Sequence, residues 1–460
     1  MTGSLAAALH GLRTRWEIRQ NTISRPQPKA GLYHYQWSLE GEQSRIHLRV
    51  DADQSGVLLV NANRVMHLNP SAVLMAFMVL EHYLPEQATR ALRGIYGLSA
   101  WEADRDYAKF KGDLTELLRP DGACPLHDLE LDILPPFAVQ PSAPYRMDLA
   151  LTYRCNNDCA HCYNARSRDF SELDTQDWFQ IVDLLWEIGI PHIVFTGGEP
   201  TQRSDLPELI AHAERNGQIT GINTNGRRLS NSSYMQRLVD AGLDHVQITL
   251  ESHDAHIHDA MVRRPGSWIQ TVGGIKNALE SRLFVMTNTT LLEDNAPSLS
   301  QTLDFLGKLG VPTVGLNALI YAGHGLTVGK GLPEESLPPL LELARHQTEA
   351  QTQRLIWYTP TQYCHFDPAQ FELGVKGCTA ALYNMCVEPN GDVLPCQSYY
   401  QSLGNLLQDP WEVIWNHPLA ERLRDRKYAP SGCASCAFFA ECGGGCPLSL
   451  ENNAIQISPI

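Results

Sequence analysis

Met147-Asp-Leu-Ala-Leu-Thr152-Tyr-Arg-Cys155-Asn-Asn-Asp-Cys159-Ala-His-Cys162 is the stretch on which the fold turns. Its first six residues are mostly apolar and read as a buried strand. Three cysteines then follow in a single loop. Three thiolates on one loop can hold three irons of a 4Fe–4S cube and leave the fourth iron free to chelate a small molecule. Zinc, the alternative, takes four ligands and favours paired C-x₂-C or Cys/His hairpins. The spacing therefore favours iron–sulfur.

Downstream of this strand, apolar and β-branched runs recur at Met147–Thr152, His192–Thr196, Ile219–Asn223, His245–Leu250, Leu283–Thr289 and Thr313–Leu319. Amphipathic helical segments lie between them, for example Thr175–Ile188 and Leu206–Arg215. Strands alternating with helices imply an α/β fold with a parallel sheet. Six units are too few for an eight-fold barrel, so a partial (β/α)6, TIM-like barrel over 146–350 is expected. Ligands in such sheets bind at the carboxyl ends of the strands.

Cys155-x₃-Cys159-x₂-Cys162 after a first strand resembles the signature of the radical S-adenosylmethionine (SAM) superfamily, with His161 at a position that is usually aromatic. Further motifs fit in order. Thr196-Gly197-Gly198-Glu199-Pro200 closes the second strand, where glycines permit close backbone approach and Glu199 can take the methionine ammonium. Asn223-Thr224-Asn225-Gly226 ends the third strand and resembles the segment near the ribose. Thr249 and Glu251 end the fourth strand, and Asn288 and Thr290 the fifth. Any one of these is also an ordinary strand-to-helix turn; their register with successive strand ends carries the resemblance. It implies Cys155, Cys159 and Cys162 as the catalytic cluster ligands. It also implies S-adenosyl-L-methionine as cofactor and an external one-electron reductant such as flavodoxin or ferredoxin as partner.

Twelve cysteines occur in 460 residues. A disulfide framework belongs to short secreted domains, and nothing here reads as a secretion signal, so a cytoplasmic protein with metal-ligating thiols is expected. Eight fall between Cys364 and Cys446. Cys378-x₁₂-Gly391-x₄-Cys396 followed by Cys433-x₂-Cys436-x₅-Cys442-x₃-Cys446 resembles the SPASM extension of radical enzymes that act on peptides, over 351–460. By that resemblance, one or two auxiliary 4Fe–4S clusters are expected. Cys378, Cys396 and Cys446, with Cys364 as a further candidate, would hold the first, and Cys433, Cys436 and Cys442 the second. The family's last cysteine has no counterpart after Cys446, which leaves the second cluster one ligand short. Three roles stay open for Cys386: completing that cluster, donating a hydrogen atom, or lying inert in the core. Val387-Glu-Pro-Asn-Gly391-Asp-Val393 reads as a hairpin turning at Asn-Gly. Gln397 stands where sulfatase-maturing members carry an acid, which argues against formylglycine formation. Cys124 reads as an inert thiol, and His253, His256 and His258 as solvated or hydrogen-bonded rather than metal ligands.

Residues 1–43 carry no firm pattern. Over 44–119, strands at Arg45–Val50, Gly56–Val60 and Arg64–Leu68 precede helical patterns at Ser71–Leu84, Pro85–Tyr96 and Ala100–Leu118. Three strands and three helices make an α+β unit of winged-helix type, and 120–145 reads as a proline-rich linker. Ahead of a SPASM enzyme, this unit is similar to the RiPP recognition element, which captures the leader of a ribosomally made precursor peptide. A leader adding a strand beside Arg64, Met66 and Leu68, and packing near Tyr107 and Phe110, is the mode expected. A structural cap or dimerisation wing is the alternative.

Hydrophobic residues at 43 % allow a large core. A net charge of −15 argues against a nucleic-acid partner, and the longest apolar stretch, Ala72–Leu80, is too short for a membrane span. The reading that results is a radical SAM maturase that closes a thioether or carbon–carbon crosslink in a ribosomal peptide. The alternatives are peptide epimerisation, modification of a tetrapyrrole or other cofactor precursor, and a non-catalytic iron–sulfur carrier or scaffold.

Overall fold

In the computed structural model, residues 27–39, 42–61, 64–118 and 141–456 are described. Cys124 and most of the 120–145 stretch read as a linker lie outside them. The chain divides into two compact units, Met1–Leu134 and Pro135–Ile460.

The first unit holds an antiparallel sheet in the order β1 (Gly31–Leu39), β2 (Glu42–Val50), β3 (Gly56–Val60), β4 (Arg64–Leu68). Sequence reading expected three strands. The fourth, β1, pairs along the whole of β2 within the stretch left unassigned. Tyr33, Tyr35 and Trp37 alternate along β1 and pack against the core, a period of two. Helices α1 (Pro70–Leu80), α2 (Pro85–Tyr96) and α3 (Ala100–Leu117) complete the unit. Each starts where its caps dictate. Asn69 accepts the Ala72 N–H ahead of Pro70, and Ser99 with Glu102 forms a reciprocal capping box.

The core of this unit gathers Ile46, Leu48 and Leu58 with Leu74, Met78, Leu92 and Leu114. Tyr107 and Phe110, 2 % and 8 % exposed, belong to it. They are core side chains, so a leader packing near them would meet the surface of α3 around them. Among the described residues β4 pairs with β3 and is the last strand in the sheet order. Arg64 donates to the Leu117 carbonyl at 2.6 Å and ties that strand to the end of α3.

The second unit is built on a nine-stranded sheet. Its centre is β5 (Arg146–Thr152), β6 (His192–Gly197), β7 (Ile219–Thr224), β8 (His245–Thr249), β9 (Phe284–Thr290) and β10 (Thr313–Asn317), all parallel and adjacent in chain order. Each lies within a residue or two of its expected position. Helices α4 (Thr175–Ile188), α5 (Leu206–Asn216), α6 (Ser232–Asp240), α7 (Ala255–Met261), α8 (Ser267–Leu279) and α9 (Leu299–Leu309) cross between them. This is the open, partial α/β barrel. On β5, Met147, Leu149 and Leu151 join the core that includes Trp178, Ile181 and Leu185 of α4. Asp148, Ala150 and Thr152 take the other face, as the strand period requires.

The alternation does not stop at 350. After α10 (Leu337–Ala350), β11 (Arg354–Trp357) adds in parallel to β10. β12 (Asn384–Val387) adds in parallel to the opposite edge, beside β5, and β13 (Val393–Leu394) pairs back on it. The hairpin between them turns where expected, with Gly391 at φ +91° and its N–H on the Glu388 carbonyl. The remainder is short helices: α11 (Trp411–Trp415), α12 (Pro418–Arg424), α13 (Phe439–Cys442) and α14 (Pro447–Gln456). Among the described residues no helix is long and apolar enough to cross a membrane.

Candidate functional site

The cysteine loop leaves β5 at its carboxyl end and is clasped by the end of β6. Gly198 N–H donates to the Thr152 carbonyl at 2.8 Å and Glu199 N–H to the Arg154 carbonyl at 3.0 Å. A Cβ on Gly198 would stand 2.6 Å from both the Tyr153 and Arg154 carbonyl oxygens, and one on Gly197 2.2 Å from that of Thr152. Only glycine permits this approach.

Glu199 is fully buried. Its Oε1 accepts from the Thr201 N–H, the Thr201 hydroxyl and the Thr224 hydroxyl; its Oε2 accepts from the Asn225 N–H at 2.8 Å. Burial raises its pKa, and those donors oppose the rise. Asn225 Nδ2 reaches Asn156 Oδ1 at 2.7 Å, and Arg227 Nη1 donates to the Asn156 carbonyl and to Asn157 Oδ1. The end of β7 is thereby fastened to the cysteine loop.

His161 Nε2 meets Glu251 Oε1 at 3.0 Å, and Glu251 Oε2 accepts the Thr290 N–H at 2.9 Å. Each oxygen of Glu251 thus has one protein partner and keeps acceptor capacity. Thr249 and Asn288 stand opposite each other on β8 and β9. Asn288 Oδ1 is buried and has no hydrogen-bond partner among the described residues. Asn223 occupies β7 opposite Gln247.

Several residues that hold this loop carry no sequence signal. His324 donates its N–H to the Cys162 carbonyl at 2.9 Å and sets Nδ1 at 3.1 Å from the Cys159 carbonyl. Tyr400 OH donates to the Tyr163 carbonyl and Asn164 Oδ1, both at 2.8 Å. Tyr163 OH donates to Gln397 Oε1, and Tyr153 OH to the buried Glu388. Arg168 lies over the Tyr153 ring with its Nε 3.6 Å from Glu388. The cysteine-rich module therefore closes over the loop through Glu388, Gln397 and Tyr400.

The thiols fall into groups. Cys155, although accessible, is crowded on its inner side, and burial pushes it up to about 11, with Glu199 and Cys162 adding to the rise. Cys159 is raised by burial and then by Cys162, Glu251 and Cys155. Burial also raises Cys378, with Cys446 and Cys396 next in effect, and pushes Cys396 up to about 12. Cys433 is raised by burial, then by Cys442, Cys364 and Cys436. Cys386 stands apart, buried on β12 opposite Asp148 and packed with Ala150, Leu394, Tyr153 and Tyr400. Among the other cysteines, Cys396 is the one whose charge acts on it. His253 meets Thr302, His258 Nδ1 accepts the Glu251 N–H, and His256 is exposed, so the three histidines point to different places. Among the described residues no three His, Cys, Asp or Glu side chains converge tightly enough for a single metal ion.

Residues 149–306 match the model of the radical SAM superfamily, and residues 378–437 that of an iron–sulfur cluster-binding domain, SPASM. The chain is 29 % identical over 309 residues to a PqqA peptide cyclase of Granulibacter bethesdensis, covering 64 % of this chain and 80 % of that protein. It is 28 % identical over 332 residues to an Fe-coproporphyrin III synthase of Methanosarcina barkeri, covering 65 % and 82 %. Among solved structures, Streptococcus suis SuiB bound to its precursor peptide SuiA matches with TM-score 0.66 and 18 % identity, over 89 % of this chain and 95 % of that one. The enzyme anSMEcpe with bound AdoMet matches with TM-score 0.53 and 14 % identity, over 66 % and 89 %.

The cofactors are S-adenosyl-L-methionine and 4Fe–4S clusters, and the donor set fits them. Thiols that raise one another's pKa need a cation to ionise, which iron supplies, and a cube spreads its thiolate bonds over separate irons. The glycine-lined approach beside Glu199 and the unpartnered Asn288 oxygen suit a small polar ligand at the strand ends.

Proposed function

We propose that this chain, an enzyme with a radical SAM domain and a SPASM domain, is a maturase of ribosomally made peptides that forms a thioether or carbon–carbon crosslink. The observation that carries the reading is the front α+β unit. Among the described residues β4 is the last strand of its sheet, the position at which a peptide can extend a sheet through main-chain hydrogen bonds. The likeness to SuiB, which was solved with its precursor peptide, extends over 89 % of the chain and supports the same reading.

Within the barrel, Cys155, Cys159 and Cys162 hold the catalytic cluster, and His161, Glu251 and His324 fix the loop that presents them. Glu199 receives the methionine ammonium at Oε2, which carries one protein donor where Oε1 carries three. Gly197 and Gly198 let the backbone approach, while Asn223, Thr224, Asn225, Thr249 and Asn288 orient the rest of the ligand. When bound, the reduced cluster and S-adenosylmethionine supply a 5′-deoxyadenosyl radical that removes a hydrogen atom from an unactivated C–H bond. Cys378, Cys396 and Cys446, and separately Cys433, Cys436 and Cys442, would hold auxiliary clusters, whose redox chemistry would suit the surplus electron of a crosslink. An external flavodoxin- or ferredoxin-type reductant provides the first electron. Arg64, Met66 and Leu68 line the strand edge that the leader would join.

Likeness to the Fe-coproporphyrin III synthase favours a second reading, a tetrapyrrole substrate. Deleting residues 1–118 separates the two. Peptide maturation predicts that reductive cleavage of SAM survives while leader binding and peptide modification are lost. Undiminished peptide modification by the shortened chain would sink the recognition role.

A further inference from the structure

We propose that Cys364 is the fourth ligand of the auxiliary cluster held by Cys433, Cys436 and Cys442. This rests on the reading of the SPASM module as a two-cluster domain. The SPASM resemblance offers Cys364 as a further candidate for the other cluster and leaves Cys386 open between this cluster, hydrogen-atom donation and the core; the packing around Cys364 favours a different assignment.

The segment from Thr361 to Cys364 is laced along the turn that carries Cys442. Tyr363 N–H donates to Cys442 Sγ at 3.4 Å, and the Cys442 thiol reaches the Thr361 carbonyl at 3.6 Å. The Tyr363 ring lies 6.5 Å from that of Phe438, between Cys436 and Cys442. On the far side of Cys442, a Cβ at Gly445 would stand 2.9 Å from Gln362 Cγ and 3.4 Å from its backbone nitrogen. The two chains therefore run in contact from Phe438 to Gly445, and Cys364 is the next residue out.

The other three thiols are brought together by local turns. Cys436 N–H bonds the Cys433 carbonyl at 3.0 Å, and Cys442 N–H bonds that of Phe438 at 2.9 Å. Beyond the effect of burial, Cys442, Cys364 and Cys436 each raise the Cys433 thiol, which agrees with the packing of the 361–364 segment on the Cys442 turn. A cube with no iron left open to a small molecule takes four protein ligands, and an N–H donated to a ligand sulfur, as from Tyr363, is a lever on its potential. Cys386 does not compete. It is 1 % exposed within the barrel sheet, and the cluster thiol acting on it is Cys396.

The test uses the full chain in a Cys155→Ala, Cys159→Ala, Cys162→Ala background, which leaves only the auxiliary sites. After anaerobic reconstitution, this background should hold about eight irons, two cubes' worth. Adding Cys364→Ala should lower iron toward about four, or change the EPR spectrum of one reduced cluster. Cys364→Ser, whose oxygen can still ligate iron, should recover iron with an altered spectrum, which separates a lost ligand from a lost fold. Cys386→Ala should leave iron and spectrum at the background values. A Cys364→Ala protein matching the background in both iron and spectrum overturns the assignment. A background that binds no iron overturns the auxiliary-cluster reading itself.

Discussion

Glu199 shows how much one side chain is asked to do. A fully buried carboxylate is costly unless its oxygens are satisfied, and here four donors from Thr201, Thr224 and Asn225 satisfy it. Those donors also keep its outer oxygen aimed at one point. Replacing it by Gln exchanges an acceptor oxygen for an NH₂ that faces donors. Glu199→Gln should therefore weaken S-adenosylmethionine binding at least about tenfold, roughly 1.4 kcal/mol, while iron content stays unchanged. Anaerobic titration calorimetry with the reconstituted enzyme reads this directly, and an unchanged affinity would remove Glu199 from the ligand's ammonium. The motif around Glu199 was legible because glycine, acid and strand end sit side by side. His324 was not, since it meets the Cys159 carbonyl across 165 positions of sequence and belongs to no short pattern.

At the scale of the element, β8 carries a group whose burial is felt in stability. The His245 ring is packed so closely on Gly221 that a Cβ there would lie 1.9 Å from its Cε1, and His192 Nε2 is 2.8 Å from its Nε2. Burial, with Arg146 adding to it, pushes its pKa from 6.5 down to about 3. Between those values the unfolded chain binds the proton and the folded chain does not, so stability rises with pH across the window. The contribution is fully present above about pH 6.5 and is lost as pH falls toward 3, on the order of a few kcal/mol. His258 on α7 shifts in the same direction, again through burial. The urea midpoint of the barrel unit should fall more steeply from pH 7 to pH 4.5 in the wild type than in His245→Gln. Equal slopes would mean that His245 is not the group responsible. Element periodicity was readable along β5 to β10, where each strand is long and followed by an amphipathic helix. β1 was passed over although Tyr33, Tyr35 and Trp37 alternate, because its partner had been started late, at Arg45. β12 and β13, four and two residues long, are too short to show a period amid cysteines placed for ligation.

At the scale of the whole molecule the chain divides into two compact units, and the proposed function assigns leader recognition to the first and radical chemistry to the second. The barrel and its cysteine-rich module were legible because cluster ligation constrains spacing in the sequence itself. The front unit is defined by packing instead, and the helical spacing of Tyr107 and Phe110 marks its core face. The proposed function seats a leader at β4, the last strand of that sheet among the described residues, and it requires a peptide as substrate. The most direct measurement is the accurate mass of a short precursor peptide encoded beside the gene, co-expressed anaerobically with the enzyme. Crosslinking predicts a peptide lighter by two hydrogen atoms, dependent on Cys155, Cys159 and Cys162. A mass unchanged in water and in deuterated water, while S-adenosylmethionine is still reductively cleaved, would contradict peptide maturation and turn attention to a tetrapyrrole substrate.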